Sequence, residues 1–192
     1  MFELPTLPYP YAALEPSLSR LSVKRHYEDN HAGYVRKANL LNTKGLPPAV
    51  VLQKEPLGSP LYNAAAQDWA HTFWWWSMAP VGTGGAPPPE IGDVVAFRKQ
   101  WVAAGSSFFG SGWLWLVVDG DKLSIMTTTN ATLPPRRHER PGGGLARVPL
   151  LVSDLWEHAY YCEYGTNKTE YLTRFFDVVN WNAVRIRLGR TQ

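Results

Sequence analysis

The stretch Asp154-Leu155-Trp156-Glu157-His158 places an acid and an imidazole four residues apart, and Ala159-Tyr160-Tyr161 follows it directly. The preceding run, Val148-Pro149-Leu150-Leu151-Val152, is short, apolar and β-branched, which is typical of a buried strand. We therefore expect the acid at the end of a strand and the histidine in the turn or helix start beyond it. Such oxygen and nitrogen donors suit iron, manganese or zinc. A pair with this spacing is also common on surfaces and in cores, so a metal site needs further ligands from elsewhere in the chain.

The composition describes a globular protein with an aromatic core. Of the 192 residues, 45% are hydrophobic and 18% are charged, and nine Trp and nine Tyr argue against disorder. The length favours one domain, or two small ones that share an interface. A net charge of +3 without a long basic run does not indicate nucleic-acid binding.

The cysteine content and the hydropathy pattern bear on the compartment. A single cysteine, Cys162, excludes an internal disulfide framework and suits a reducing environment. No stretch approaches the ~18 consecutive apolar residues that a membrane-spanning helix needs, and the N-terminal residues resemble neither a signal peptide nor a transit peptide. We expect a soluble protein without membrane insertion, located in the cytoplasm, or in an organelle stroma or matrix if the chain is already processed.

Two helices are predicted in the first half of the chain. Ser17 or Ser19 can cap a long helix from Leu18 to about Asn42, and a second helix runs from about Leu61 through Trp76. The connector between them is rich in proline and glycine. We expect the two helices to form a hairpin.

The first predicted helix carries a row of polar side chains. His26, Asn30 and Tyr34 stand at i, i+4 and i+8 and would share one face, with His31 in a neighbouring row. That face could supply one ligand and two groups that contact it.

The second predicted helix has an unusual interior. Gln67, His71 and Trp75 follow one another at i+4 spacing in a segment rich in tryptophan. The simpler interpretation is a core helix in which a backbone carbonyl satisfies a buried His71.

The second half of the chain mixes helices with a small sheet. A Gly- and Pro-rich linker over 81–89 separates two predicted domains, residues 1–81 and 90–192. We predict helical structure over 90–107, three antiparallel strands over 113–118, 123–128 and 148–153, and a final helix over 169–188. The pattern is α+β, with an N-terminal helical hairpin domain and a C-terminal α/β domain that contains a three-stranded sheet.

Three motifs in this order resemble the iron/manganese superoxide dismutases. They are 63–73 (NAAAQDWAHTF), 109–116 (FGSGWLWL) and 154–161 (DLWEHAYY), and His26-Tyr27 on the first helix adds to them. The resemblance covers nearly the whole chain. It implies disproportionation of superoxide to dioxygen and hydrogen peroxide by one metal ion that cycles between +2 and +3 and lies between two domains.

The resemblance also implies which side chains bind the metal. The ligands would be His26, His71, Asp154 and His158, with solvent completing the site. On this basis metal binding is favoured over the simpler interpretations of His71 and of the Asp154 and His158 pair.

Further roles follow from the resemblance for residues around the ligands. Gln67 matches a glutamine of the iron-type enzymes. In manganese-type enzymes an amide comes instead from a segment that corresponds to 129–131, and here that segment offers an alanine. We therefore expect iron, with manganese as the alternative metal. Tyr34 matches a tyrosine at the substrate funnel, and Trp113 and Trp156 match aromatic residues that line the metal pocket.

The resemblance implies a homodimer as well. Glu157 matches a carboxylate that reaches the metal-binding histidine of the other subunit, with Tyr161 beside it.

The chain departs from the family pattern in two places. Asn30 occupies a position that the family usually fills with histidine, although His31 is kept, and asparagine cannot titrate near neutral pH. The loop 133–146 carries a basic cluster and looks longer than usual. These departures leave an alternative function open, a dismutase-fold structural subunit that docks to a larger assembly through this loop with weak or no activity. A metal-dependent hydrolase fits poorly, because no general base stands near the expected open position.

Overall fold

A computed structural model describes residues 1–120, 122–135 and 147–189. Most of the basic loop for which a docking role is predicted, residues 136–146, lies outside the described residues. The helices are α1 (Arg20–Arg25), α2 (Ala32–Leu41), α3 (Pro48–Lys54), α4 (Pro60–Trp76), α5 (Val94–Ser107), α6 (Tyr161–Tyr164), α7 (Lys168–Phe175) and α8 (Trp181–Gly189). The strands are β1 (Gly112–Asp119), β2 (Lys122–Thr129) and β3 (Val148–Asp154).

The first long helix contains a π-helical segment. The Ser19 side chain caps α1 by accepting a hydrogen bond from the Ser22 backbone N–H at 3.1 Å. Residues His26–His31 then form a π-helix that joins α1 to α2. A π-turn adds one residue to a helical turn. The i+4 spacing predicted for this helix is therefore wrong at this point, and His31 becomes buried while Asn30 is only half-buried.

The helical hairpin pairs α2 with α4, and α3 lies in the connector. Ser59 caps α4 by accepting a hydrogen bond from the Tyr62 N–H at 3.1 Å. The hairpin interface is rich in small residues, which let helix backbones approach closely. These residues belong to a small buried cluster, among them Ala38, Ala64, Ala65 and Ala66.

The sheet has the strand order β2-β1-β3 and is antiparallel throughout. The central strand β1 is buried along most of its length, so both of its faces are covered. Trp113 of β1 stands directly opposite Asp154 of β3. Since residues that oppose each other across strands project to the same face, this register aims the Asp154 carboxylate and the Trp113 ring in one direction.

The predicted final helix is interrupted. Between α7 and α8 the chain leaves the helical conformation, and Val179 forms an isolated bridge with Met78, just beyond α4. Asn180 then caps α8 by accepting a hydrogen bond from the Ala183 N–H at 3.0 Å. Pairing with the end of α4 therefore outweighs the helical periodicity at these positions.

The predicted fold class is confirmed. An N-terminal helical hairpin is followed by an α/β domain with a three-stranded antiparallel sheet. Within the part of the chain that the structure describes, no helix is both long and apolar enough to cross a membrane.

Candidate metal centre

Four side chains converge between the hairpin and the sheet. Each of His26, His71, Asp154 and His158 contributes one potential ligand atom, and these atoms all lie within 4.8 Å of one another. Oδ2 of Asp154 lies 3.2 Å from Nε2 of His26, 3.8 Å from Nε2 of His71 and 3.6 Å from Nε2 of His158. Two donors that each bind an ion at about 2.1 Å lie at most about 4.2 Å apart, so these three separations suit donors that share one ion.

Four separate elements deliver these side chains. His26 begins the π-helix, His71 lies in the middle of α4, Asp154 ends β3, and His158 occupies the 3-10 turn Glu157–Ala159. Asp154 and His158 stand as the sequence predicts, one at the strand end and the other in the turn beyond it.

The donor atoms are available to a metal ion. Nε2 of His26, His71 and His158 and Oδ2 of Asp154 are buried, and within the described part of the chain none of them has a hydrogen-bond partner. Leaving a buried polar atom unpaired costs about 1–3 kcal/mol, so four together indicate an absent binding partner. Three imidazole nitrogens and one carboxylate oxygen are the donor set of a first-row transition metal. These residues therefore fit a bound ion.

Hydrogen bonds fix two of the four ligands in the orientation that metal binding needs. Nδ1–H of His71 donates to the Gln67 backbone carbonyl at 2.7 Å, which leaves the lone pair of Nε2 free. The Trp156 backbone N–H donates to Oδ1 of Asp154 at 2.8 Å, which leaves Oδ2 facing the cluster. The simpler interpretation of His71, a histidine satisfied by a backbone carbonyl, thus describes only one of its two nitrogens.

Burial keeps the cluster in the protonation state of a ligand set. Burial lowers the pKa of His26 to about 4, although contact with Asp154 opposes this effect. The pKa of His71 lies well below its ordinary value, first because of burial and then because of the neighbouring His26. Burial raises the pKa of Asp154, but the contacts with His158 and His26 outweigh it and hold that pKa below its ordinary value. Two neutral imidazoles therefore face a carboxylate at neutral pH.

Aromatic rings surround the cluster. Trp113 is buried and meets the His71 ring edge-on, with 5.1 Å between centroids. Trp156 stacks on His158 with 5.8 Å between centroids. His158 retains 23% side-chain exposure, while the other three ligand candidates are almost fully buried, so the cluster opens to solvent on the His158 side.

Tyr34 and Gln67 lie beside His71. The Tyr34 ring centroid is 5.4 Å from that of His71. Burial and the charge of Asp154 raise the pKa of Tyr34, and a hydrogen bond from Gln67 partly offsets the increase. Oε1 of Gln67 is buried and has no hydrogen-bond partner within the described residues.

Other residues with predicted roles lie farther from the four donors. Asn30 is half-buried, and in the described part of the chain no hydrogen bond joins its side chain to a ligand candidate. Glu157 and Tyr161 lie on the surface next to His158, and Tyr161 is 46% exposed.

Sequence reasoning missed two residues that contact His31. Nε2 of His31 lies 2.9 Å from Oδ1 of Asp68, and the indole N–H of Trp75 donates to Nδ1 of His31 at 3.1 Å. The His31 ring stacks on His71 with 5.3 Å between centroids and 17° between planes. The available signal was Asp68, the one acid in α4, which lies about one turn before His71.

Comparison with protein families identifies two matching domain models that together span most of the chain. Residues 1–79 match the alpha-hairpin domain of the iron/manganese superoxide dismutases. Residues 89–187 match the C-terminal domain of the same family.

Several curated proteins named as iron superoxide dismutases are similar over nearly their full length. The protein from Coxiella burnetii is 37% identical, covering 95% of this chain and 96% of its own length. The protein from Entamoeba histolytica is 37% identical, with 97% and 99% covered, and that from Escherichia coli K12 is 38% identical, with 98% of both covered.

Proposed function

The chain belongs to the iron/manganese superoxide dismutase family, and we propose that it converts superoxide into dioxygen and hydrogen peroxide at one iron ion per chain, with manganese as the alternative metal. The observation that carries this proposal is the buried cluster of four unpartnered donor atoms. The relatives named as iron superoxide dismutases support the choice of iron.

Nε2 of His26, His71 and His158 and Oδ2 of Asp154 would hold the metal. We place it between the two proposed domains, residues 1–81 and 90–192, because each contributes two of these residues. A bound iron ion supplies the electron chemistry, since it can accept an electron from one superoxide and return one to another. Three neutral donors and one carboxylate leave a net positive charge of +1 on the +2 ion and +2 on the +3 ion, which favours an anionic substrate.

Tyr34 would supply a proton to the product. Its pKa is raised by burial and by Asp154, so the phenol stays protonated at neutral pH. The Gln67 side chain lowers the pKa of this phenol and so partly offsets the effect of burial, and the free Oε1 of Gln67 can accept a hydrogen bond within the pocket. Hydrogen peroxide formation requires two protons per peroxide, and Oη of Tyr34 is the donor that we propose for one of them.

The place of the Gln67 amide in the chain favours iron over manganese. Gln67 comes from α4, one turn before His71. The position that carries an amide in manganese-type enzymes falls on Ala131, which is buried against the hairpin and cannot form a side-chain hydrogen bond.

We also propose that two copies of the chain associate through the surface beside His158. Phe109 is 98% exposed and Tyr161 46% exposed, so both rings are available to a second copy of the chain. Glu157, which is exposed beside His158, would contribute to the same interface. Nζ of Lys168 donates a hydrogen bond to the Phe108 carbonyl at 2.7 Å, which ties the segment before Phe109 to α7.

Superoxide decay in the presence of the purified protein tests the proposed activity. We expect rapid decay with the iron-loaded protein, little acceleration after the metal is removed by chelation, and recovery when iron is restored. A protein that holds one iron per chain and does not accelerate decay would overturn the proposal.

A further inference from the structure

Three side chains form a buried group directly behind the proposed ligand His71. They are His31, Asp68 and Trp75, joined by hydrogen bonds of 2.9 Å and 3.1 Å to the two nitrogens of the His31 ring. His31 and Trp75 are almost fully buried, and the Asp68 side chain is only 13% exposed. The ring of His31 also lies flat against His71.

The donors and acceptors in this group allow only one arrangement of protons. An indole nitrogen can only donate, so Nδ1 of His31 must accept the hydrogen bond from Trp75 and carries no proton. The ring proton is therefore on Nε2, where it donates to the Asp68 carboxylate. His31 is held as a neutral imidazole, because an imidazolium would place an N–H against the Trp75 N–H.

A single helix holds this ring at both ends. Asp68, His71 and Trp75 are all on α4, at i, i+3 and i+7, which places them on one face of the helix. That face therefore presents the proposed metal ligand between the two residues that hold His31. The π-turn is what brings His31 to this face, as the buried position of its ring indicates.

The arrangement has an electrostatic consequence. Because Trp75 keeps His31 neutral, no imidazolium compensates the charge of the Asp68 carboxylate, and the His31 and Asp68 pair carries one net negative charge. Solvent and salt screen a largely buried charge only weakly. A negative charge near a metal ion stabilises its higher oxidation state relative to the lower one.

We propose that Asp68 is a positioning residue that fixes His31 against His71 and lowers the reduction potential of the metal bound there. The inference rests on the proposed metal-binding function, but it concerns the potential of the bound iron and not the rate of superoxide decay. Catalysis does not require Asp68 to contact the substrate.

The test is the midpoint potential of iron in the Asp68→Asn protein. Asparagine has nearly the same shape as aspartate, and its amide oxygen can still accept the hydrogen bond from Nε2 of His31, so the variant removes the charge alone. We expect iron at one per chain and a higher midpoint potential than in the unsubstituted protein. Asp29→Asn is the matched control. Asp29 is exposed on the π-turn that carries His31, and its replacement changes the net charge of the protein by the same amount.

A second neutral variant and a direct measurement keep the proposal testable if Asp68→Asn does not fold. Asp68→Ser should raise the potential in the same direction. Imidazole nitrogen NMR of the unsubstituted, metal-free protein at neutral pH should show His31 protonated on Nε2 only. The proposal is overturned by an unchanged potential in iron-loaded Asp68→Asn, by iron loss with an unchanged fold in both variants, or by a doubly protonated His31. If the unsubstituted protein binds iron but lacks dismutase activity, the proposed function fails while the potentials still decide the role of Asp68.

Discussion

Nε2 of His26 lies 3.2 Å from Oδ2 of Asp154, although the two residues come from different halves of the chain. Both atoms are buried and neither has a hydrogen-bond partner within the described residues. The fold therefore places an imidazole that resists protonation beside a carboxylate that resists neutralisation. In the metal-free protein this arrangement makes stability depend on pH.

We expect the metal-free protein to lose stability as the pH falls from about 6.5 to about 4. The pKa of His26 is about 4 in the folded protein, against an ordinary value of 6.5. At pH values between these two pKa values the unfolded chain binds more protons than the folded protein, so acid favours unfolding. For this residue the free energy of unfolding falls by about 3 kcal/mol. Urea unfolding at several pH values measures the effect. The variant His26→Asn should show a smaller pH dependence, and an unchanged slope would contradict the prediction.

Replacing His71 by alanine should remove most of the bound metal. Even residues that only orient a ligand contribute about 10–100-fold to metal affinity, so the loss of a ligand should reduce affinity by more than about tenfold. Metal content after purification under identical conditions measures the effect. Asn63→Ala is the control, because Asn63 is exposed on the same helix. Near-stoichiometric metal in His71→Ala would contradict the ligand assignment.

Much of the fold follows from local patterns in the sequence. The apolar run before Asp154 predicts β3 and its end, and the periodicity of the two N-terminal helices predicts the hairpin. By contrast, no local pattern reveals that Val179 pairs with Met78, so the sequence does not predict the break between α7 and α8. Tertiary pairing decides such a break, and periodicity does not report it.

The surroundings of the metal centre were harder to predict than its ligands. The ligand set came from the resemblance of motifs, because spacing alone left simpler interpretations open. No glycine or proline lies between His26 and His31, and hence nothing in the sequence indicates the π-turn. Without that one-residue shift, α-helical spacing places Asn30 on the face of His26, and the contact between His31 and Asp68 cannot be foreseen.

Replacing Asn30 by histidine should leave turnover unchanged or raise it. The side chain is half-buried and forms no hydrogen bond to a ligand candidate in the described part of the chain, while a histidine adds a group that titrates near neutral pH. Superoxide decay per bound iron measures the effect. Asn30→Ala separates the loss of the amide from the gain of the imidazole. A large fall in Asn30→His with full iron content would show that Asn30 belongs to a different hydrogen-bond network.

Two helical glycines should respond to alanine in opposite directions. A Cβ added at Gly105 in α5 would lie 2.5 Å from Cδ1 of Leu172 and 3.0 Å from Cδ2 of Leu114, both fully buried. We expect Gly105→Ala to destabilise the protein by about 1–2 kcal/mol, since overpacking exceeds the gain in helix propensity. At Gly33 in α2 the nearest atom is Nη2 of Arg36 at 3.7 Å, so Gly33→Ala should stabilise by up to about 1 kcal/mol. Denaturant midpoints that shift in the same direction in both variants would contradict this interpretation.

The proposed dimer should dissociate when Phe109 is replaced by aspartate. Phe109 is 98% exposed and belongs to the proposed interface with Glu157 and Tyr161, and a charge buried without a partner at an interface is strongly unfavourable. Sedimentation velocity should show a dimer for the unsubstituted protein and a monomer for Phe109→Asp. Leu40→Asp is the matched control, because Leu40 is 79% exposed on α2 and carries no proposed contact. A dimer that persists in Phe109→Asp, or one that Leu40→Asp disrupts equally, would place the interface elsewhere on the molecule.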